Sequence, residues 1–175
     1  MRKLYVPISM DPSHSVEVYD SDFKKLGVST VFLTEPERIV LLPRELDELL
    51  ERLIGEGYLD FRCGGAQGFD TIAALKVLEK KKIYPDVKLH LFLPCRDQTR
   101  GWSEAAKRAY SIVLERADSV CYASENYTPN CMHARNRAMV DGSDLCIAYC
   151  TSSHGGTAYT VLYARKQGVE VICLE

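Results

Sequence analysis

The sequence predicts an α/β fold in which a mostly parallel sheet carries helices on both faces, and three observations predict it. Short β-rich runs alternate with longer helical ones almost to the last residue. Leucines recur at helical spacing in stretches such as "RELDELLERLIGEG". Two glycine-rich turns, "CGGAQGFDT" and "TSSHGGTAYT", stand where strands hand over to helices.

Taken in order, the strand-like runs are residues 3–9 (KLYVPIS), 29–34 (STVFLT), 59–63 (LDFRC), 88–94 (KLHLFLP), 119–124 (SVCYAS), 145–150 (LCIAYC) and 169–174 (VEVICL). Helices fill most of the gaps between them. The first long one repeats its leucines and stops at glycine, and "TIAALKVLEKKK" ends in the lysines favoured at a helix C-terminus. A third helix is expected over about 130–141, and a last one follows the Gly-Gly-Thr turn. Neither repeat nor low-complexity linker divides the chain, so residues 1–175 are read as one layered unit.

Composition restricts what such a unit does. The chain has 175 residues, 46% hydrophobic and 26% charged, enough for a continuous core. No apolar run reaches membrane-spanning length, and "MRKLYVPISM" lacks the marks of a signal peptide, so the expectation is a cytoplasmic protein with no membrane partner. Net charge is −2 and the pI about 6.1, which leaves no basic excess for a phosphate backbone and disfavours nucleic acid as a partner. Seven cysteines, an odd number with several inside strand-like runs, read as reduced and mostly buried thiols.

In parallel sheets of this kind ligands sit beyond the carboxyl ends of the strands, where helix N-termini offer free N–H groups to anions. Gly64, Gly65 and Gly68 in the first turn allow positive φ and close approach of a phosphate or ribose, with Asp70 or Thr71 supporting the new helix. Gly155, Gly156 and Thr157 in the second expose amides and a hydroxyl at the start of the last helix. On the helix over 130–141, Met132, Arg135, Asn136 and Met139 project into one sector. Arg135 therefore shares the inward face and needs an acidic partner, such as Asp70 or Asp144, or a ligand anion.

Other candidates flank these turns. Arg96, Asp97, Gln98 and Trp102 in "PCRDQTRGW" follow a strand and overhang the crevice, Trp102 as a base-stacking surface or a packing lid and Gln98 as a reader of a base edge. His154 adjoins the second turn and is placed for ligand contact or proton transfer. Cys131 and His133 diverge around a helix and no second ligand pair has zinc-like spacing, so no metal site is expected. Tyr159 and Tyr163, at i and i+4, suit packing or a subunit interface.

The segments "RCGGAQGFDTIAA", "LPCRDQTRGWSEAAKRAY", "YTPNCMHARNRAMVDGSDLCIAYC" and "GGTAYTVLYARKQGVEVI" together resemble the SLOG superfamily, in particular its bacterial YpsA/YoqJ-like branch, over residues 42–175. The resemblance implies a Rossmann-like three-layer sandwich, with a mostly parallel sheet of about six to seven strands, that binds a nucleotide or NAD-derived small molecule. It implies no cofactor and makes a homodimer plausible. The first turn is similar to the Ser-Gly-x-Ala-x-Gly-Ile-Asp stretch of the DNA-processing protein A, with Cys63 in place of the serine. Residues 132–157 are similar to the Met-His-x-Arg-Lys and Pro-Gly-Gly-x-Gly-Thr-x-x-Glu patterns of the Lonely Guy phosphoribohydrolases, which sets Arg135 on an active-site arginine and Thr157 on the motif threonine.

Two departures qualify what the resemblance implies. Three residues after Thr157 stands Thr160, so the glutamate of the hydrolase pattern is missing. N-glycosidic cleavage needs a carboxylate, and Glu125 or Asp70 would have to supply it. Upstream, "FLTEPERI" stands where the branch carries a strand and Thr-Gly-His-Arg-Pro, and residues 1–41 form a divergent strand-helix-strand segment. The reading is a nucleotide-binding module, with a nucleoside monophosphate phosphoribohydrolase or related N-glycosidase as the alternative.

Overall fold

Alternation of short apolar runs with amphipathic ones builds the expected strands and helices. The structure, a computed structural model, describes residues 15–19, 25–30, 36–150 and 153–174, with side chains from residue 43 onward. Its elements are β1 (Ser15–Tyr19), β2 (Lys25–Thr30), α1 (Pro36–Gly55), β3 (Asp60–Cys63), α2 (Phe69–Lys81), β4 (Lys88–Leu93), α3 (Glu104–Arg116), β5 (Ser119–Tyr122), α4 (Cys131–Val140), β6 (Leu145–Tyr149), α5 (Gly156–Lys166) and β7 (Glu170–Leu174).

Five of these strands run parallel, but in two ladders. One has the order β3-β4-β5 and the other pairs β6 with β7. β1 and β2 pair antiparallel with each other, with a register shift at Val18 and Tyr19. Among the described residues no ladder joins these three groups, so the expected continuous sheet of six to seven strands is not what the hydrogen bonds form.

From β3 onward, the expected strands agree with the observed ones to within a residue or two at each end. The run expected at 29–34 overlaps only the end of β2, which begins at Lys25, and residues 31–34 and the run at 3–9 lie outside the described residues. β2 begins before the expected run because a hairpin's extent is set by cross-strand hydrogen bonds, which composition does not display.

Packing follows the helical period. In α1, Leu46, Leu49, Leu50, Leu53 and Ile54 form a buried stripe. That stripe packs on α2 and, with Leu89, Leu91 and Leu93 of β4, makes the core. Alternate residues of β4 reach opposite faces, so these three leucines are fully buried while His90 turns outward. On that outer face His90 lies between Asp60, at 2.9 Å from Nε2, and Ser119, at 2.8 Å from Nδ1. Hydrogen bonds thus knit the first ladder on its polar side too.

A buried lysine locks α1 to α2. Lys80 donates to Asp47 at 3.0 Å and to Glu51 at 2.6 Å, and Tyr84 donates to the same glutamate. Burial opposes the charge on Lys80, yet its two carboxylate partners raise its pKa overall. For Asp47 burial is again the largest influence and acts upward, but Lys80 and Lys76 together outweigh it and lower the pKa; for Glu51 the Lys80 hydrogen bond leads the lowering. The other entry to the sheet is held by Asp118, which accepts from the Leu89 amide at 2.9 Å and from Lys81 at 2.6 Å.

Replacing Lys80 with alanine strands two half-exposed carboxylates on α1, and the expected cost, screened by solvent, is about 1–2 kcal/mol in chemical denaturation at neutral pH. Because the folded carboxylates titrate below their unfolded values, the wild-type advantage is present above about pH 4.5 and fades as pH falls through the folded pKa values. A difference between the two proteins that instead grew on acidification would contradict this lock.

Candidate functional site

The turn between β3 and α2 is shaped by its own side chains. Asp70 Oδ2 accepts from the Ala66 amide at 3.1 Å, Thr71 Oγ1 donates to the Ala66 carbonyl at 2.9 Å, and Cys63 Sγ donates to the Asp70 carbonyl at 3.0 Å. Asp70 and Thr71 therefore brace the turn. Gly68 has φ 86 and ψ −125, a conformation only glycine adopts readily. Burial pushes the Cys63 thiol up to about 12, so it is a packing group and not a nucleophile.

Onto this turn α4 lays Arg135. The residue is 7% exposed, its Nη1 lies 3.2 Å from Asp70 Oδ2, and its buried Nε has no hydrogen-bond partner among the described residues. Gly64 makes the approach possible: a Cβ there would lie 1.5 Å from Arg135 Nη1 and 2.6 Å from Asp70 Oδ2. Glycine at this position is thus a requirement of the ion pair and not of backbone angle.

The second turn arrives on the far side. Gly155 has φ 93, α5 begins at Gly156, and no side chain caps it, so the amides of its first turn have no intrahelical acceptor. Thr160 Oγ1 donates to the Gly156 carbonyl at 2.8 Å. Gly64, Asp70, Arg135, Gly156 and Thr157 all line one cavity of about 890 Å³, which also runs down between β3 and β6. Residues of the two glycine turns, far apart in sequence, therefore line one cavity.

Not every expected residue joins them. Gly65, Gly68 and Gly155 shape the turns without lining the cavity. Gln98 is engaged by the Gly65 carbonyl, to which its Nε2 donates at 3.3 Å, and Trp102 packs edge-on against Tyr110 at 5.6 Å, as a lid would. Arg96 lies over the Tyr122 ring and pairs with Glu125 at 2.6 Å, both exposed. The Arg96 hydrogen bond holds the Glu125 carboxyl below its usual range, which suits an anion and not a proton donor. His154 is exposed and sits 2.9 Å from Ser153 Oγ.

On α4 the inward stripe is Cys131, Arg135, Asn136 and Val140. Met132, expected inside, is 41% exposed, because it lies at the edge of the sector that the short helix turns to the core. Asn136 is the member that sequence reasoning placed inward without assigning it to the site; it is 7% exposed and lines the cavity. Cys131 is buried while His133 packs edge-on outside against Tyr159, so the pair diverges, and among the described residues no group of three or more His, Cys, Asp or Glu could hold a metal. Tyr159 and Tyr163 clamp α5 to α4, one accepting from Arg137 at 2.8 Å and the other donating to Asp141 at 2.9 Å. Among the described residues no helix is long and apolar enough to cross a membrane.

Comparison with known proteins agrees with this arrangement at the level of family. The model of the YspA SLOG family matches residues 23–171. The chain is similar to the uncharacterized SPbeta prophage-derived protein YoqJ of Bacillus subtilis, 28% identical over 146 residues, covering 77% of this chain and 85% of that protein. It is also similar to a UPF0398 protein of Bacillus thuringiensis, 28% identical over 141 residues, covering 79% of this chain and 77% of the relative.

Gly64→Ala forces the guanidinium off Asp70 and is expected to cost about 1–2 kcal/mol of stability, whereas Gly156→Ala, where a Cβ meets nothing within 4 Å, should stay within about 0.5 kcal/mol of wild type. Thermal unfolding of the two variants side by side checks this, and equal melting temperatures would refute the steric account of Gly64.

Proposed function

Because the chain belongs to the YspA SLOG family, we propose that it is a binding protein for a nucleotide or nucleotide-derived small molecule, its phosphate held at the rim shared by the two glycine turns. The observation that carries this is the state of Arg135. A guanidinium that is almost wholly buried, paired with Asp70 through Nη1 and, among the described residues, carrying an unpartnered Nε, lines the same cavity as Gly156 and Thr157 at the start of α5. Donors of both kinds, a cation and backbone amides, suit a phosphate dianion better than a neutral ligand.

A second reading rests on Asp70. It lines the cavity and braces the first glycine turn, whereas Glu125 is committed to Arg96 on the outside, so N-glycosidic cleavage of a nucleoside monophosphate would use Asp70 to stabilise charge developing on the sugar. The pairing of Asp70 with Arg135 and with the Ala66 amide, and Thr160 in the place of a motif glutamate, favour binding over turnover.

Titration calorimetry with a nucleoside monophosphate and its parent nucleoside separates these readings from a non-specific pocket. Arg135→Ala should weaken the monophosphate by about 1.5–3 kcal/mol and leave the nucleoside nearly unchanged, with Arg135→Lys intermediate. Equal weakening of both ligands would remove the phosphate role. Chromatographic detection of free base, lost in Asp70→Asn, would shift the assignment to the hydrolase.

A further inference from the structure

Among the described residues three polar or charged side chains are buried, those of Lys80, Arg135 and Asn136. Lys80 is held by Asp47 and Glu51, and Arg135 pairs with Asp70. Asn136 is as buried as Arg135 and lines the same cavity, yet among the described residues its side-chain amide forms no hydrogen bond. A carboxamide taken out of water without a partner costs stability that an apolar side chain of similar shape would not. Such a group points to a partner that enters from the cavity.

Its place on α4 selects the part of a ligand that it meets. Consecutive residues of a helix diverge by about 100°, so Arg135 and Asn136 do not close on one group. Both line one cavity nonetheless, from adjoining positions of the backbone. Side chains so arranged suit two neighbouring groups of one molecule. In a nucleotide the group next to the 5′-phosphate is the sugar, and the base lies one ring farther away. A sugar hydroxyl both gives and takes a hydrogen bond and carries no charge, as is true of a carboxamide, whereas the donor-only guanidinium matches the phosphate.

We propose, resting on the phosphate reading of Arg135, that Asn136 is the sugar-reading residue of this cavity: its amide hydrogen-bonds a secondary hydroxyl of a ribose 5′-phosphate, so that the protein prefers ribonucleotides to their deoxy forms. Without that hydroxyl the amide stays buried and unsatisfied, and this penalty is what produces the discrimination.

Calorimetric titration of the full chain with adenosine, guanosine, cytidine and uridine 5′-monophosphates, each beside its 2′-deoxy and 3′-deoxy forms, tests this in the wild type, Asn136→Leu, Asn136→Ala and Arg135→Ala. In the wild type one deoxy form should bind about threefold to tenfold more weakly than the ribonucleotide, the loss of one hydrogen bond. Asn136→Leu and Asn136→Ala should both lower ribonucleotide affinity to that of the deoxy form, whereas Arg135→Ala should weaken the two alike and leave their ratio unchanged. A ribose preference lost in Asn136→Leu but kept in Asn136→Ala would mean crowding by the leucine and overturn the assignment. If Arg135→Ala lowers affinity while the ribose preference survives in both Asn136 variants, or is missing from the wild type, the sugar assignment fails and the phosphate reading stands. If the Asn136 variants instead level the affinities among the four bases, the amide reads the base and the assignment fails likewise. If none of the monophosphates binds, or Arg135→Ala changes nothing, the phosphate reading falls and the sugar assignment falls with it.

Discussion

A buried guanidinium cannot be left to itself, and the region around the two glycine turns is arranged around satisfying the one on Arg135. Its counter-charge, Asp70, lies 65 residues away in sequence and is itself anchored by the Ala66 amide. That carboxylate joins three elements: it shapes the β3–α2 turn, sits in the first turn of α2, and holds α4 against both. Gly64 belongs to the same device, because any side chain there would occupy the place of the guanidinium. The pair is weak evidence for stability in the abstract, since desolvating two charges offsets much of their attraction. Its effect is specificity of position: one orientation of α4 satisfies Arg135, and α4 leads directly into β6 and the second glycine turn.

The electrostatics of the opening follow from that geometry. Cation and carboxylate nearly cancel, and among the described residues Nε of Arg135 has no hydrogen-bond partner and no side chain caps α5. Asp60 and Asp144 line the same cavity, whereas the acidic groups of the loops after β4 and β5 do not. Glu125 is tied to Arg96, and Asp97 accepts from the Tyr127 amide at 3.1 Å, which joins the loops after β4 and β5 to each other. The thiol nearest the rim, Cys63, is kept protonated by burial.

How much of this was legible beforehand depended on the range of the interaction concerned. Gly64, Gly156, Thr157 and the inward position of Arg135 were readable because turn chemistry and helical period are local. Asp70 appeared only as one of two acidic partners for Arg135, and the structure pairs it. Trp102 and Gln98 looked like ligand groups from their place after a strand; the neighbours that occupy them, Tyr110 and the Gly65 carbonyl, belong to other elements. Met132 was misplaced for a related reason. A ten-residue helix turns a narrow face inward, and which face is decided by what it packs against.

By itself the amino-acid order determined the alternation of elements from β3 to β7, the two glycine turns and the chemical character of their residues. These are properties of neighbours along the chain, where periodicity and backbone freedom act. The tertiary structure alone decided that, among the described residues, the parallel strands form two ladders, that Arg135 meets Asp70 across Gly64, and that Glu125 faces away with Arg96. Those outcomes depend on which remote surfaces satisfy one another's charge, hydrogen bonds and apolar area, a competition settled only when all the elements pack together.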